Sequence, residues 1–547
     1  MEQRFRQAFI VGISLSTLLG LIIPFFAPVD GDDATTHLHW ITAFFDLLRQ
    51  GILVPTWLPD GFHGLGAPTF YFYPPLTYYV TSSIIGLTGI LRPETVYNIA
   101  GLFSTVASGA ACYYLLRKLD GSKRDAVLGS LLYAFAPYRL FDLYTRSSLS
   151  QPMAFIFVPL VIAGLVECLD PKRGLRPSIT LALSWACLLL TSLPLAVAMA
   201  ILIVVIVALG WKSLRWMTLV SAAFGVALGT ALSLYHYLPA LHFQQFIQST
   251  TYWNPGGHQR DPGNWLPALL SRSELTFVVQ ALIIFCTHAA ILVLWWRLRR
   301  SGDRTQATMI VGLVVLFFLM IEIPYLNLPI WSYLPPFKIV QFHIRFGIFS
   351  VLLVSLLVGS VRAGEQWKVF ATRLGAIWSW SAVGLSLLVL FSVRLHPHGA
   401  SVWMDSAEYL PVSNLHVESA VQKAFLPHLH DEFLLATPEF GDAESTRLLK
   451  SGALTKEYAL EVRKPHLVTL HQFAWPEWKL DLDGSRVESA TDSIGRAVVA
   501  VGVGAHRLSI HLERASIETT GFWISGISLM LLLLTGRIGK KNVVSPA

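Results

Sequence analysis

Apolar runs of about 18–20 residues recur along the 547-residue chain, most of them bracketed by arginine or lysine. A run of that length crosses a bilayer as one helix. In hydrocarbon every backbone amide and carbonyl must find its partner inside the protein, which restricts spanning segments to helices or closed barrels. Composition agrees: 54% of residues are hydrophobic and 14% charged, with mean hydropathy +0.55, against about a quarter charged in soluble domains. The chain therefore reads as a mostly α, polytopic membrane protein. Its net charge of +7 sits beside the apolar runs, where basic residues set orientation, and is not a nucleic-acid signature. Cys112, Cys168, Cys187 and Cys286 all lie in or at the edge of apolar segments, and no Cys/His spacing suits zinc.

Basic loops mark the cytoplasmic side of a membrane protein. Arg4 and Arg6 place the N-terminus inside, and the run that follows ends in Ala27-Pro28-Val29 without a small-x-small cleavage site, so it reads as an uncleaved first helix near 8–27. Crossings are then expected near 96–116, 126–138 and 152–168, and as a hairpin over 178–210 that turns at Thr191-Ser192-Leu193-Pro194. Further crossings follow near 217–237, 275–296, 306–324, 346–361, 374–393 and 519–536. This gives about twelve transmembrane helices with both termini cytoplasmic. The stretch 76–116 must cross an odd number of times and is too short for three crossings, so 96–116 crosses alone and 76–91 read as a juxtamembrane or re-entrant helix.

Three parts follow. Residues 1–395 form a transmembrane domain, with first outer loop 28–75; 396–517 form an extracytoplasmic α+β domain; and 518–547 form a last helix and a basic tail. Within the outer domain, 396–460 has mixed character with helical patches, while 465–513 alternates as strands around a hairpin turn at Asp483-Gly484, as expected for a β-sandwich. Such a domain covers the outer face or binds sugar.

The first outer loop concentrates the unusual residues. Asp30, Asp32, Asp33, His37 and His39 precede an amphipathic run with Ile41, Phe44, Phe45 and Leu48, and then a Gly/Pro segment rich in aromatics from Trp57 to Tyr73. One aspartate, Asp32 or Asp33, suffices to cap the helix beginning near Ala34; three exceed that need. With Asp142, Arg146, His242, Arg260, His343 and Arg345, these residues fall at outer helix ends. Charge at a membrane edge is costly and points to function, unless the groups pair with one another or with headgroups.

The pattern Asp33-x-x-x-His37, then Gly51/Pro55/Trp57, Gly64/Gly66/Pro68 and Tyr73-Pro74-Pro75-Leu76, resembles a bacterial family labelled 6-pyruvoyl-tetrahydropterin-synthase-related membrane proteins. That family resembles GT-C glycosyltransferases, including aminoarabinose transferases and YfhO-like proteins; the pterin label belongs to soluble zinc enzymes. The segment from Trp475 to Leu512 resembles the β-domain of YfhO-like proteins. The resemblance implies a GT-C-like fold and transfer of a sugar from a polyprenyl-phosphate donor to a lipid or glycan acceptor on the outer face of the bacterial inner membrane. It implies Asp33 or Asp32 as the base, since relatives often carry His-Asp where this chain has Asp32-Asp33. It also implies substrate contacts at His37, Tyr73, Asp142, Arg146, His343 and Arg345. A divalent cation on Asp30, Asp32 and Asp33 is compatible with it, as is the absence of any cofactor. Three motifs depart from the family. Ser150-Gln151 stands where relatives carry Glu, Thr191-Ser192-Leu193-Pro194 where they carry Ser-His-x-Pro, and Gln341-Phe342-His343-Ile344-Arg345-Phe346 where His343 replaces Pro. These departures fit a changed substrate or lost activity. The alternatives are a non-catalytic scaffold of an envelope-polysaccharide system and, third, a lipid or glycan transporter.

Overall fold

The computed structural model describes residues 2–247, 345, 347–395 and 445–541, apart from 27–28, 30, 32, 62–63, 170–177, 211–213, 360–364 and 493–494. The expected crossings at 275–296 and 306–324, and residues 396–444, lie outside the described residues. The chain is mostly helical with a C-terminal strand region. The helices are α1 (Glu2–Ile22), α2 (Ala34–Arg49), α3 (Leu76–Thr88), α4 (Pro93–Lys118), α5 (Lys123–Ala134), α6 (Ser150–Cys168), α7 (Ile179–Leu189), α8 (Leu193–Gly210), α9 (Trp216–Leu232), α10 (Leu234–Phe243), α11 (Gly347–Gly359), α12 (Glu365–Leu395) and α13 (Ser516–Lys541). Among the described residues, five helices are long and apolar enough to cross a membrane, or six if the bent pair 216–246 counts as one.

Two expected crossings take other forms, and the expected hairpin is seen. The segment at 126–138 is the short α5, stopped before Pro137, because the residue before a proline is pushed out of the helical region. The hairpin 178–210 is α7 and α8, separated at Leu190–Ser192. The expected single crossing 217–237 is two helices bent by 69°. The bend frees backbone groups, and Ser525 on α13 collects them: its hydroxyl donates to the Ala231 carbonyl at 3.0 Å and accepts from the Tyr235 amide at 3.0 Å. Gly521 permits the approach, since a Cβ there would lie 2.7 Å from the Leu234 carbonyl oxygen. A broken helix in a membrane is tolerated only where such partners exist. Ser525→Ala is expected to cost about 1–2 kcal/mol and to lower the thermal midpoint of the purified protein measurably; an unchanged midpoint would show that the bend does not depend on this clasp.

Neighbouring contacts order the helix directions. Arg373 in the first half of α12 lies 4.8 Å over the Phe5 ring near the start of α1, and Trp380 donates to the Ala8 carbonyl at 3.0 Å, so these two helices run the same way. Gly121, before α5, packs on the Gly359 carbonyl at the end of α11, so α11 runs opposite to α5. At the other end, the Leu76 amide donates to the Leu190 carbonyl (2.9 Å) and the Asp33 amide to the Arg146 carbonyl (2.8 Å). The acidic first loop and the second loop thus meet at the end opposite the basic turns.

Eight strands make two antiparallel sheets, β1-β2-β8-β4-β5 and β3-β7-β6. They are β1 (Ser445–Gly452), β2 (Thr455–Val462), β3 (His466–Phe473), β4 (Trp478–Leu482), β5 (Ser485–Val487), β6 (Ala490–Thr491), β7 (Arg496–Val501) and β8 (Gly504–Leu512). Leu460, Val468, Leu480, Val499, Leu508 and Ile510 from both sheets share one core, as in a sandwich. Strands begin at Ser445, earlier than the alternation announces, because the inward row of β2 includes Lys456 and Tyr458, opposite Ile510 and Leu508. Asp483 and Gly484 take positive φ, 52° and 80°, at the turn between β4 and β5, as that type of hairpin requires.

The same core extends into the first loop: Trp57, Leu65, Ala67 and Tyr71 pack with Trp475, Trp478 and Phe243. The Phe473 amide donates to the Leu65 carbonyl at 2.8 Å, the Tyr71 hydroxyl to Glu518 at 2.6 Å, and the Ala453 amide to Gln50 at 3.2 Å. The outward side of this sheet is instead polar and joined by ion pairs, as in Arg486 on β5 with Asp481 on β4 (2.9 Å) and with Glu513 just after β8 (2.7 Å).

Candidate active site

Asp33 occupies the N-cap position of α2, yet its carboxylate makes no capping hydrogen bond. It lies instead 3.8 Å from the Arg146 guanidinium, with its side chain 39% exposed. Simple capping therefore does not account for this aspartate. The approach is built by the backbone. Gly31 donates to the Ser147 hydroxyl at 3.0 Å, and a Cβ at Gly31 would lie 2.3 Å from the Thr145 carbonyl oxygen, so only glycine fits where the two loops touch. Ser147 sits at φ 53° and turns the second loop back.

Phe141–Thr145 form a single π-helical turn, a local widening frequent at functional sites. It sets Asp142 and Arg146 face to face: Arg146 Nη1 donates to Asp142 Oδ1 at 2.7 Å and to Gln151 Oε1 at 3.2 Å. Asp142 is fully buried, and its Oδ2 has no hydrogen-bond partner among the described residues. Burial pushes its pKa up to about 6, against the lowering pull of Arg146 and then Arg345. Gln151 donates to the Tyr138 hydroxyl in a short contact. Gln151 thus fills, as a neutral amide, the place where the resemblance led one to expect a carboxylate.

His37 points inward from α2, stacked on Tyr78 and edge-on to Tyr73, with Nδ1 2.8 Å from the Tyr78 hydroxyl. Burial pushes its pKa down to about 4. At neutral pH it carries no charge and acts only through hydrogen bonds. The half-buried Tyr73 donates to Ser150 at 3.1 Å, and burial pushes its pKa up to about 12. Its ring lies 4.8 Å from Trp40. His39 faces Asp60 at 3.4 Å.

Five of the residues singled out in the sequence therefore share one neighbourhood: Asp33, Asp142 and Arg146 directly, Arg345 through its charge on Asp142 and Tyr73, and Tyr73 through Ser150. His37 borders it through Tyr73. Asp30, Asp32, Arg260 and His343 lie outside the described residues, and among the described residues no group of three His, Cys, Asp or Glu is placed to hold a metal. The aromatic segment divides: Trp57 and Tyr71 serve the β-domain, and Phe70 and Tyr73 pack on α2.

Sequence reasoning gave Tyr138 and Arg139 no role of their own and read Gln151 only as a departure from the family's Glu. Arg139 is fully buried, donating to Ser104 (2.7 Å), Thr105 (3.2 Å) and the Pro152 carbonyl (3.2 Å) with its guanidinium 4.9 Å over Phe155. Burial pushes its pKa down to about 10. The available signal was an arginine at the very end of an apolar run.

Residues 70–393 match the family model of the 6-pyruvoyl-tetrahydropterin synthase related domain, described as a membrane protein. Over 144 residues, 26% of the chain, the sequence is 25% identical to an uncharacterized protein of Lactococcus lactis subsp. cremoris (strain MG1363), covering 24% of its length. Among solved structures, the chain is similar to the arabinofuranosyltransferase AftD from Mycobacteria, with 16% identity and TM-score 0.40 over 72% of this chain and 27% of that one. It is similar to the apo oligosaccharyltransferase of Archaeoglobus fulgidus, with 11% identity and TM-score 0.42 over 69% and 56%. It is also similar to ArnT from Cupriavidus metallidurans bound to undecaprenyl phosphate, with 12% identity and TM-score 0.39 over 70% and 77%. The matches span about a quarter of the curated relative and of AftD.

Proposed function

Because the chain belongs to the 6-pyruvoyl-tetrahydropterin synthase related family of membrane proteins, we propose that its loop site is the active site of a membrane glycosyltransferase. It takes a sugar from a polyprenyl-phosphate carrier and passes it to a lipid or glycan acceptor of the cell envelope, on the outer face of the inner membrane. The observation that carries this reading is the Asp33 carboxylate, partly exposed, uncommitted to its own helix and 3.8 Å from Arg146.

The chemistry needs both groups. The acceptor hydroxyl loses its proton to a carboxylate as its oxygen attacks the anomeric carbon; the bond to the phosphate oxygen breaks, and the phosphate leaves with the electron pair. Asp33 suits the first task. The second needs fixed cations at the departing oxygen, and arginine supplies planar, permanent donors. Arg146 and Arg345 suit it, with Asp142 and Gln151 fixing the first of them. His37, neutral, offers a ring nitrogen to a hydroxyl. One displacement of this kind inverts the anomeric centre. Transfer beside a bilayer also agrees with the apolar helices around the site.

A second reading, a non-catalytic scaffold, is favoured by Gln151, a neutral residue on Arg146, and by the engagement of Arg146 with internal carboxylates. Mass spectrometry of lipid-linked and surface sugars separates the two. A deletion strain is expected to lose one glycan modification and to accumulate its lipid-linked precursor, both reversed by the wild-type chain and not by Arg146→Ala. Restoration by Arg146→Ala would favour the scaffold.

A further inference from the structure

The second loop holds a feature that sugar transfer as such does not require. The guanidinium meant for phosphate is already held by a fully buried carboxylate. Arg146 Nη1 spends its hydrogens on Asp142 Oδ1 at 2.7 Å and on Gln151 Oε1 at 3.2 Å, and Nη2 faces Asp33 at 3.8 Å. An anion arriving at Arg146 must compete with Asp142.

We infer that Asp142 is a proton-linked positioning residue of the anion site: its ionised form retains Arg146 and opposes a phosphodiester, and its protonated form yields the guanidinium to it. This rests on reading the site as a phosphate site, and names what regulates it.

Several observations support the linkage. Asp142 is out of contact with water, and its Oδ2 has no hydrogen-bond partner among the described residues. One carboxylate oxygen in a buried place without a donor disfavours the charged form. The cost shows as a pKa raised to about 6. The groups that face Asp142 are Tyr138, Arg139 and Arg146 from its own loop, Asp33 from the first loop, Tyr97 from α4, and Arg345 ahead of α11. Tyrosines remain neutral and arginines charged over the range concerned. Gln151 sharpens the effect: with a neutral amide there, Asp142 is the acid that shares Nη1, so one proton changes that nitrogen's charge balance by a full unit.

The sign follows. Below about pH 6 Asp142 is largely protonated, Arg146 is less compensated, and an anion binds more tightly; above it the carboxylate competes and affinity falls. The probe must keep its own charge constant, which a phosphate monoester does not. A dialkyl phosphate, didecyl phosphate, carries one negative charge throughout.

The test is binding of didecyl phosphate to the full chain in nanodiscs between pH 5.5 and 7.5, read by isothermal titration. Wild type is expected to bind about ten-fold more tightly at pH 5.5 than at pH 7.5. Asp142→Asn, with no proton to gain, is expected to bind tightly and without pH dependence. Gln151→Glu, which adds a second competing acid and does not depend on the folding of the first variant, is expected to weaken binding at pH 7.5 and move the transition to higher pH. Arg146-dependent binding that is flat with pH in the wild type, or a transition that survives in Asp142→Asn, would overturn the linkage while leaving the phosphate site standing. Binding that does not depend on Arg146 at any pH would remove the phosphate site and the linkage together.

Discussion

Asp33→Asn is expected to yield an inserted, folded protein whose sugar transfer falls by a factor of about 10²–10⁴, the usual contribution of a positioned general base. Asparagine keeps the shape of the side chain and cannot take a proton. The ion pair with Arg146 is lost as well, but Asp33 is 39% exposed and the 3.8 Å separation is too long for a hydrogen bond. Such pairs contribute about 0–1 kcal/mol, so the fold should survive. The backbone anchors that hold the loop, the Asp33 amide on Arg146 and the Gly31 amide on Ser147, are untouched by the change. The measurement is the envelope-glycan profile of a deletion strain carrying the variant at wild-type protein level. Asp32→Asn, made beside it, decides which of the neighbouring aspartates acts. Unchanged glycans in both strains would refute the base assignment.

Arg139→Ala carries the largest expected loss of stability, about 3–5 kcal/mol. The side chain has no exposed surface, and three donated hydrogen bonds and a ring contact go with it. Ser104 and Thr105 keep their own bonds to the Gly101 carbonyl, so the damage comes from the Pro152 carbonyl, the emptied volume and the lost stacking on Phe155. Arg139→Lys retains a charge but not the fork that reaches three acceptors at once, and should fall between. The thermal midpoint in detergent is the readout, and a midpoint for Arg139→Ala near that of the wild type would contradict this role. Arg139 ties the loop bearing Asp142 and Arg146 to α4, so the variant should also weaken anion binding.

Much of the helical part could be read because charge and hydropathy act locally. The basic turn at Arg117–Arg124 and the N-terminal arginines mark helix ends that the contacts of Gly121 and Phe5 place opposite the acidic loop. Strands β3, β4, β7 and β8 show in the alternation because one face of each is apolar. What escaped reading depends on partners distant in sequence. The bend at Ser233 is made possible by Ser525, which no window around residue 233 contains. Trp57 and Tyr71 look like walls of a site until Trp475 and Phe243 are brought against them. The i,i+4 spacing of Asp142 and Arg146 suggests a pair, but nothing in the spacing shows that Gln151 joins it, or that Asp33 arrives from a segment more than a hundred residues away.

The clamp of the first loop between the helices and the sandwich bears on how this protein can be recombined. Tyr71 reaches Glu518, Gln50 reaches Ala453, and Trp57 shares a core with Trp475 and Trp478. The stretch that continues from the proposed base is thus half of a joint whose other half is encoded some four hundred residues later. A chimera that exchanges the strand-rich module for that of a cousin must carry residues 50–71 across with it, and the two segments should be inherited as a matched set.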